Sequence, residues 1–121
     1  MFDFDFVYWL NKKIVHTDIT LHKYDTHTLN ECYVQKNINH VTASINASIN
    51  LGLDASDTWY ALSKIYDAAS IPQKTFYLPV VHNYSNIALG RITPSGDIEF
   101  ITKSSAYTAN TPIICNFSYF V

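Results

Sequence analysis

The sequence predicts an all-β fold, either an antiparallel β-sandwich or a jelly-roll-like barrel. Residues that suit a pleated sheet surface (Ile, Val, Thr, Tyr, Phe and Trp) occupy 49 of the 121 positions. Glu occurs twice and Arg once, which is unusual for a helical protein. Apolar and polar residues alternate strictly from Val41 to Ile49, and short extended segments follow one another without a strand–helix rhythm.

Length and charge narrow the classes of protein further. A chain of 121 residues predicts one main domain. Charged residues make up only 15% of the chain and the net charge is −2, so no nucleic-acid partner is expected. No apolar run approaches the roughly 20 residues of a membrane span. The N-terminus carries Asp3 and Asp5 where a signal peptide would be basic, so neither membrane insertion nor secretion is expected.

The first 29 residues are expected to form an added strand and a junction ahead of a main domain at 30–121. Residues 2–9 read FDFDFVYW, in which aromatic and other residues alternate with the period of a strand. An open edge of this kind favours aggregation, so the rest of the domain or another subunit should cover it. Residues 17–29 mix polar and apolar side chains and are ambiguous between strand and loop.

Two strands should follow this segment. Residues 31–36 read as a strand, and the Asn-rich stretch 37–40 reads as a turn. The alternating stretch from Val41 to Ile49 places small apolar side chains on one face and hydroxyl or amide side chains on the other. It therefore predicts a long strand with a solvated outer face.

The middle of the chain is less clear. Residues 52–57 form a loop, and residues 58–65 fit a short helix capped by Asp57 as well as a strand. Residues 75–81 are extended, and Pro79 indicates an edge position because proline cannot donate a ladder hydrogen bond.

A hairpin and a final strand complete the element order. Thr93-Pro94-Ser95-Gly96 fits a type I turn followed by a glycine bulge, with strands at 87–92 and 97–102. Residues 102–111 are a polar loop, and residues 113–121 alternate as a closing strand.

The chain carries no recognisable catalytic or metal-binding motif, so we expect neither an enzyme nor a cofactor or metal. The five histidines have no zinc-site spacing and are interpreted as surface residues. Cys32 and Cys115 are interpreted as buried, reduced thiols, and a disulfide between them would need neighbouring strands.

Six residues are candidates for ligand binding. Aromatic faces beside amides and carboxylates suit a saccharide, because sugar rings stack on aromatic rings and hydroxyls need planar hydrogen-bond partners. In or near polar loops and turns, such residues are Asp54, Asp57, Trp59, Tyr60, Asn83 and Tyr84. The competing interpretations are turn and capping roles for the aspartates and core packing for Trp59.

The order of short motifs in residues 30–121 resembles the C-terminal head domains of receptor-binding proteins, tail fibres and baseplate proteins of tailed bacteriophages. The motifs are Tyr33-Val34-Gln35-Lys36-Asn37, the strand Val41–Ile49, Leu62-Ser63-Lys64-Ile65, Ile71-Pro72, Leu78-Pro79, Ile92 with Gly96–Phe100, and Phe117–Val121.

This resemblance implies a homotrimeric β-sandwich or jelly-roll head that binds a bacterial cell-surface saccharide. It also implies contacts with other tail proteins and a place in the virion, after synthesis in the bacterial cytoplasm. The alternative function is a structural trimerisation or assembly domain of a phage tail or baseplate that binds no ligand.

Overall fold

The computed structural model describes residues 17–121, so the strand expected at residues 2–9 lies outside the described residues. Within this part of the chain the fold is all-β, with one short 3-10 helix at Ala68–Ser70. The strands are β1 (Thr17–Asp18), β2 (His27–Asn37), β3 (His40–Ile49), β4 (Trp59–Lys64), β5 (Phe76–His82), β6 (Asn86–Ile92), β7 (Asp97–Ile101) and β8 (Ile113–Phe120).

The strands form one curled antiparallel sheet in the order β1-β2-β3-β8-β5-β6-β7-β4. Strand β8 pairs with β3 along its whole length, from Ala47–Ile113 to His40–Phe120. It pairs with β5 at one position, between Val81 and Ile114. This single pair is a seam that divides the sheet into two four-stranded halves, so the fold is that of a β-sandwich or a partly closed barrel.

The segment before β2 joins the β1–β2 side of the curled sheet to β4. Leu21 forms an isolated bridge with Ile65, and the His22 amide donates to the Lys64 carbonyl at 2.9 Å. The Ser63 hydroxyl donates to the His22 carbonyl at 2.8 Å. The buried ring of His27 donates from Nε2 to the Ala61 carbonyl at 2.8 Å. Two of these bonds satisfy backbone carbonyls of β4 on the side where no other strand among residues 17–121 pairs with it.

The alternation predicted for the long strand is confirmed in β3. Its odd-numbered residues are buried in the core, and its even-numbered residues from His40 to Ser48 are half-buried on the outer face. Strand β8 shows the same pattern, with Ile113 and Cys115 buried and Ile114 outside. Phe100 from the opposite half is fully buried and helps to fill the space between the two halves.

The hairpin between β6 and β7 is confirmed in its predicted form. The Gly96 amide donates to the Thr93 carbonyl at 2.9 Å, which closes the turn. The Thr93 amide donates to the Asp97 carbonyl at 3.0 Å, and Gly96 adopts a φ of +85°. The Gly96 carbonyl also accepts the Ile65 amide at 2.9 Å, which ties the turn to the end of β4.

The structure resolves the ambiguity at residues 58–65, because Trp59–Lys64 is a strand that pairs with β7. A register shift between Ala61 and Ser63 interrupts the pairing. The sequence predicted an edge strand for Pro79, and this prediction is wrong. Pro79 lies in β5, between β8 and β6, but β5 faces β8 at the seam, where the ladder contains a single pair.

The cysteines are both free, and Cys115 is buried while Cys32 is half-buried. Both pair with Ile45 of β3 from opposite sides, so one whole strand separates them. A disulfide needs Cα atoms within about 7 Å, which is less than the spacing across two strand gaps. Burial raises the pKa of the Cys115 thiol to about 12, so this thiol stays protonated.

Candidate functional site

Three connecting segments meet at one end of the sandwich, and the polar segment 102–111 lies at their centre. Leu53 and Tyr107 exchange two backbone hydrogen bonds of 3.0 and 2.8 Å, which joins this segment to the loop before β4. The Asn83 side chain donates to the Ala106 carbonyl at 2.7 Å, which joins it to the β5–β6 turn. All six candidate residues lie in these neighbouring segments or at the start of β4.

Tyr107 anchors the central segment in the core. Its ring is 2% exposed, and its hydroxyl donates to the Thr111 carbonyl at 2.6 Å. The same hydroxyl accepts the Ile49 amide at 3.0 Å. The Tyr107 side chain therefore satisfies one backbone group in segment 102–111 and one at the end of β3. It connects this segment to the core.

Asn83 has a structural role at this end of the molecule. Its Oδ1 accepts the Thr108 amide at 2.9 Å and the Thr111 hydroxyl at 3.1 Å. With the bond to Ala106, both the oxygen and the nitrogen of the Asn83 side-chain amide are hydrogen-bonded. Asn83 and Tyr84 both have positive φ values, of 49° and 68°, and Tyr84 is 76% exposed at the tip of the turn.

The two aspartates are exposed and make different contacts. Asp54 accepts the Thr102 hydroxyl at 2.7 Å through its backbone carbonyl, so its carboxylate takes no part in that bond. The Asp57 carboxylate lies 3.9 Å from the Lys103 ammonium, and both side chains are largely exposed. Within residues 17–121, His, Cys, Asp and Glu form no group of three or more that would hold a metal ion.

Trp59 and Tyr60 project from opposite faces of β4, as consecutive strand residues must. Tyr60 packs against the core with its ring 6.2 Å from that of Phe100. Trp59 lies on the outer face, where the Arg91 guanidinium stacks 3.9 Å from its ring centroid. Arg91 in turn forms a 2.9 Å ion pair with Glu99. The two aromatic residues therefore cannot serve one ligand, and one face of Trp59 is already occupied.

A cleft opens beside Trp59, where β6 and the chain after β7 separate. The ladder between these strands ends at the Leu89–Ile101 pair, so residues 86–88 of β6 have no partner in β7. The opening has a volume of about 290 Å³, near the lower end for small-molecule sites. Its apolar lining residues are Trp59, Ile87, Ala88, Leu89 and Ile101. We call this opening the β6 cleft.

The polar lining of the β6 cleft comes from β5 and from the segment after β7. It consists of His82, Thr102, Lys103, Ser104 and Ser105. The Thr102 hydroxyl is already bound to Asp54, and the Ser105 hydroxyl accepts the Asn86 side-chain amide at 2.8 Å. His82, Lys103 and Ser104 therefore supply the side chains available for a ligand.

His82 is the unexpected member of this set. The sequence suggested surface histidines, but His82 is 1% exposed and His27 is also buried. The reason is the alternation of β5, in which Leu78, Val80 and His82 all point inward. Among the described residues, Nδ1 of His82 is buried without a hydrogen-bond partner. Burial lowers the pKa of His82, which favours the neutral imidazole.

The six residues chosen from the sequence lie at the same end of the molecule as the β6 cleft, but most residues that line the cleft were not among them. Of the six candidates, Trp59 lines it, and Asp57 reaches its rim through Lys103. The available signals were the polar run Lys103-Ser104-Ser105 directly after a strand and a histidine in phase with buried β5 residues. Neither signal identifies a cleft until the structure shows that the chain after β7 separates from β6.

In the part of the chain from residue 17 onward, no helix has the length and apolar character to span a membrane. No model of a known protein family matches the sequence, and no curated protein is significantly similar to it.

Proposed function

We propose that this domain is a host-recognition module of a tailed bacteriophage, and that it binds a bacterial cell-surface saccharide as a homotrimer. The observation that carries the binding function is the β6 cleft, at the end of a β-sandwich where three segments are fixed by hydrogen bonds. A preformed opening of this kind presents a ligand site without paying a large ordering cost.

The side chains at the cleft suit a sugar. Trp59 offers an aromatic surface on the side not covered by Arg91, while Ser104 and Lys103 offer a hydroxyl and a cation at the rim. Sugar rings combine apolar faces with polar edges, and this mixture provides for both. Asp54 and Asp57 are both exposed, and the proposed function is binding without catalysis.

The trimer and the virion location are proposed from the resemblance of residues 30–121 to phage head domains. An exposed apolar area on the outer face of β5, β6 and β8 supports self-association or contact with other tail proteins, and it adjoins the β6 cleft because Ile87 and Leu89 belong to both. We call it the outer apolar surface, and its exposed fractions are 56% for Tyr77, 75% for Ile87, 48% for Leu89 and 38% for Ile114. Register pairs place these side chains on one face.

The test is binding of the labelled full chain to a panel of bacterial cell-wall polysaccharides. We expect one polysaccharide to bind and Trp59→Ala to weaken that binding at least about tenfold, as loss of a central aromatic contact does. Tyr66→Ala is the matched control, because Tyr66 is an exposed aromatic residue at the opposite end of the sandwich. Absence of binding to any polysaccharide or cell, or equal effects of the two variants, would contradict the proposal.

A purely structural assembly domain is the second candidate, and the outer apolar surface is the observation that favours it. A stable trimer that binds no cell-wall polysaccharide would support this alternative. Tyr77→Lys places a charge on that surface without touching the β6 cleft, and in this case it should dissociate the trimer.

A further inference from the structure

We propose that the β6 cleft is a subsite for an N-acetylated amino sugar, with the acetamido group directed at His82 on its floor. This inference rests on the proposed saccharide-binding function and specifies the chemical class of sugar. The three observations that carry it are the apolar lining, the small set of polar groups at the cleft and the Nδ1 atom of His82, for which residues 17–121 offer no partner with hydrogen-bond geometry.

The lining is selective because most of it is apolar. Ile87, Leu89 and Ile101 line the opening, and they can accept no hydrogen bond. A plain hexose has hydroxyls around its whole ring, so inside this cleft some hydroxyls would lose water without gaining a partner, which is unfavourable. An acetamido group instead presents a methyl group beside an amide, and the methyl suits these aliphatic side chains.

The polar floor suits the amide. His82 is 1% exposed, and its Nδ1 lacks a hydrogen-bond partner among the described residues. An unmade hydrogen bond of a buried polar atom is costly, and a ligand that supplies the missing partner recovers that cost. A neutral imidazole nitrogen without a proton accepts one hydrogen bond, and an amide N–H can donate it.

The rim suits the rest of the sugar. The Lys103 ammonium and the Ser104 hydroxyl lie on the segment that faces β6, where they can donate to the amide carbonyl or to ring hydroxyls. Ser105 is held by the Asn86 side chain at 2.8 Å, and this bond joins the segment to the first residue of β6. This bond links the two sides of the cleft without a ligand, which lowers the ordering cost of binding.

The experiment is an NMR titration of the full chain with N-acetylglucosamine and, separately, with glucose. We expect N-acetylglucosamine to bind at least tenfold more tightly and to shift the His82 ring resonances. His82→Phe should weaken its binding at least tenfold, whereas His82→Asn, which keeps a polar group near the Nδ1 position, should retain it within about threefold. His40→Phe is the control, since His40 lies at the opposite end of the sandwich.

The outcomes separate this inference from the proposed function. Equal affinity for glucose, or unchanged affinity in His82→Phe, would overturn the acetamido subsite while polysaccharide binding by the domain still stood. Loss of monosaccharide and polysaccharide binding alike in the unmodified chain would overturn both. Thermal unfolding tests whether each variant is folded. If His82→Phe is folded and keeps full affinity, the acetamido subsite is overturned.

Discussion

At the scale of single residues, Tyr107 stabilises the end of the molecule that carries the β6 cleft. Its hydroxyl donates a hydrogen bond to the Thr111 carbonyl at 2.6 Å and accepts one from the Ile49 amide at 3.0 Å. We expect Tyr107→Phe to lower the free energy of unfolding by about 1–3 kcal/mol, because two buried backbone groups lose a partner. Urea unfolding measures this change. Tyr84→Phe, at an exposed position, should change stability by less than about 0.5 kcal/mol.

His82 should make stability depend on pH. Burial lowers its pKa in the folded state, so below its ordinary value of about 6.5 the unfolded chain binds the proton more readily. The free energy of unfolding should therefore be fully retained above pH 7 and should decline as the pH falls through 6.5 toward the folded pKa.

The measurement compares urea unfolding at pH 7.5 and pH 5.5 in the unmodified chain and in His82→Phe. The decline between the two pH values should be smaller in the variant, which lacks the titrating ring. An identical decline in both proteins would show that other groups, such as carboxylates, cause it. At pH 7.5 the variant should be at least as stable, since it removes a buried polar atom that has no hydrogen-bond partner within residues 17–121.

At the scale of elements, the β6–β7 turn depends on its glycine. Gly96 has a φ of +85°, and a Cβ there would lie 2.1 Å from the Ile65 carbonyl oxygen. We expect Gly96→Ala to cost more than about 1 kcal/mol of stability, because both the backbone and the contact with β4 are strained. Gly52→Ala is the control in urea unfolding, since Gly52 has ordinary space and no positive φ. Equal effects would contradict this explanation.

The sequence predicts some elements well for a local physical reason. In β3, β8 and the β6–β7 hairpin, one face is buried and the other is more accessible to solvent. Apolar and polar residues therefore alternate with a period of two in the sequence. In β4 the register shift between Ala61 and Ser63 breaks this period, and Leu62 and Ser63 are both buried. Helix and strand were therefore indistinguishable at residues 58–65 from the sequence.

The candidate site was less predictable because it depends on separations between distant segments. The β6 cleft exists where β7 ends and β6 continues with β5 as its partner but without β7, and neither strand shows in its own residues where the ladder stops. Asn83 and Tyr84 were recognisable as turn residues, but only the three-dimensional arrangement shows that Asn83 is a tether for residues 106–111. The sequence shows which side chains are polar or aromatic, but it does not show which of them lie close together in the fold.

At the scale of the whole molecule, the proposed trimer predicts the solution mass. Light scattering at several concentrations should give a mass near three times 13.8 kDa. A charge at Tyr77, in Tyr77→Lys, should shift the mass toward that of the monomer if the outer apolar surface forms the contact. Lys74→Glu, an exposed position outside that surface, is the control. A monomer at all concentrations would contradict the trimer.

The insertion of β8 between β3 and β5 has a consequence for how the chain is made. Strands β2 and β3 form one local hairpin, and β5, β6 and β7 form a local meander, so both can pair soon after synthesis. The partner of β3 on its other side is β8, about 60 residues further along the chain. Until residues 113–120 have been synthesised, the edge of β3 that pairs with β8 stays open, and we expect this nascent state to be prone to aggregation.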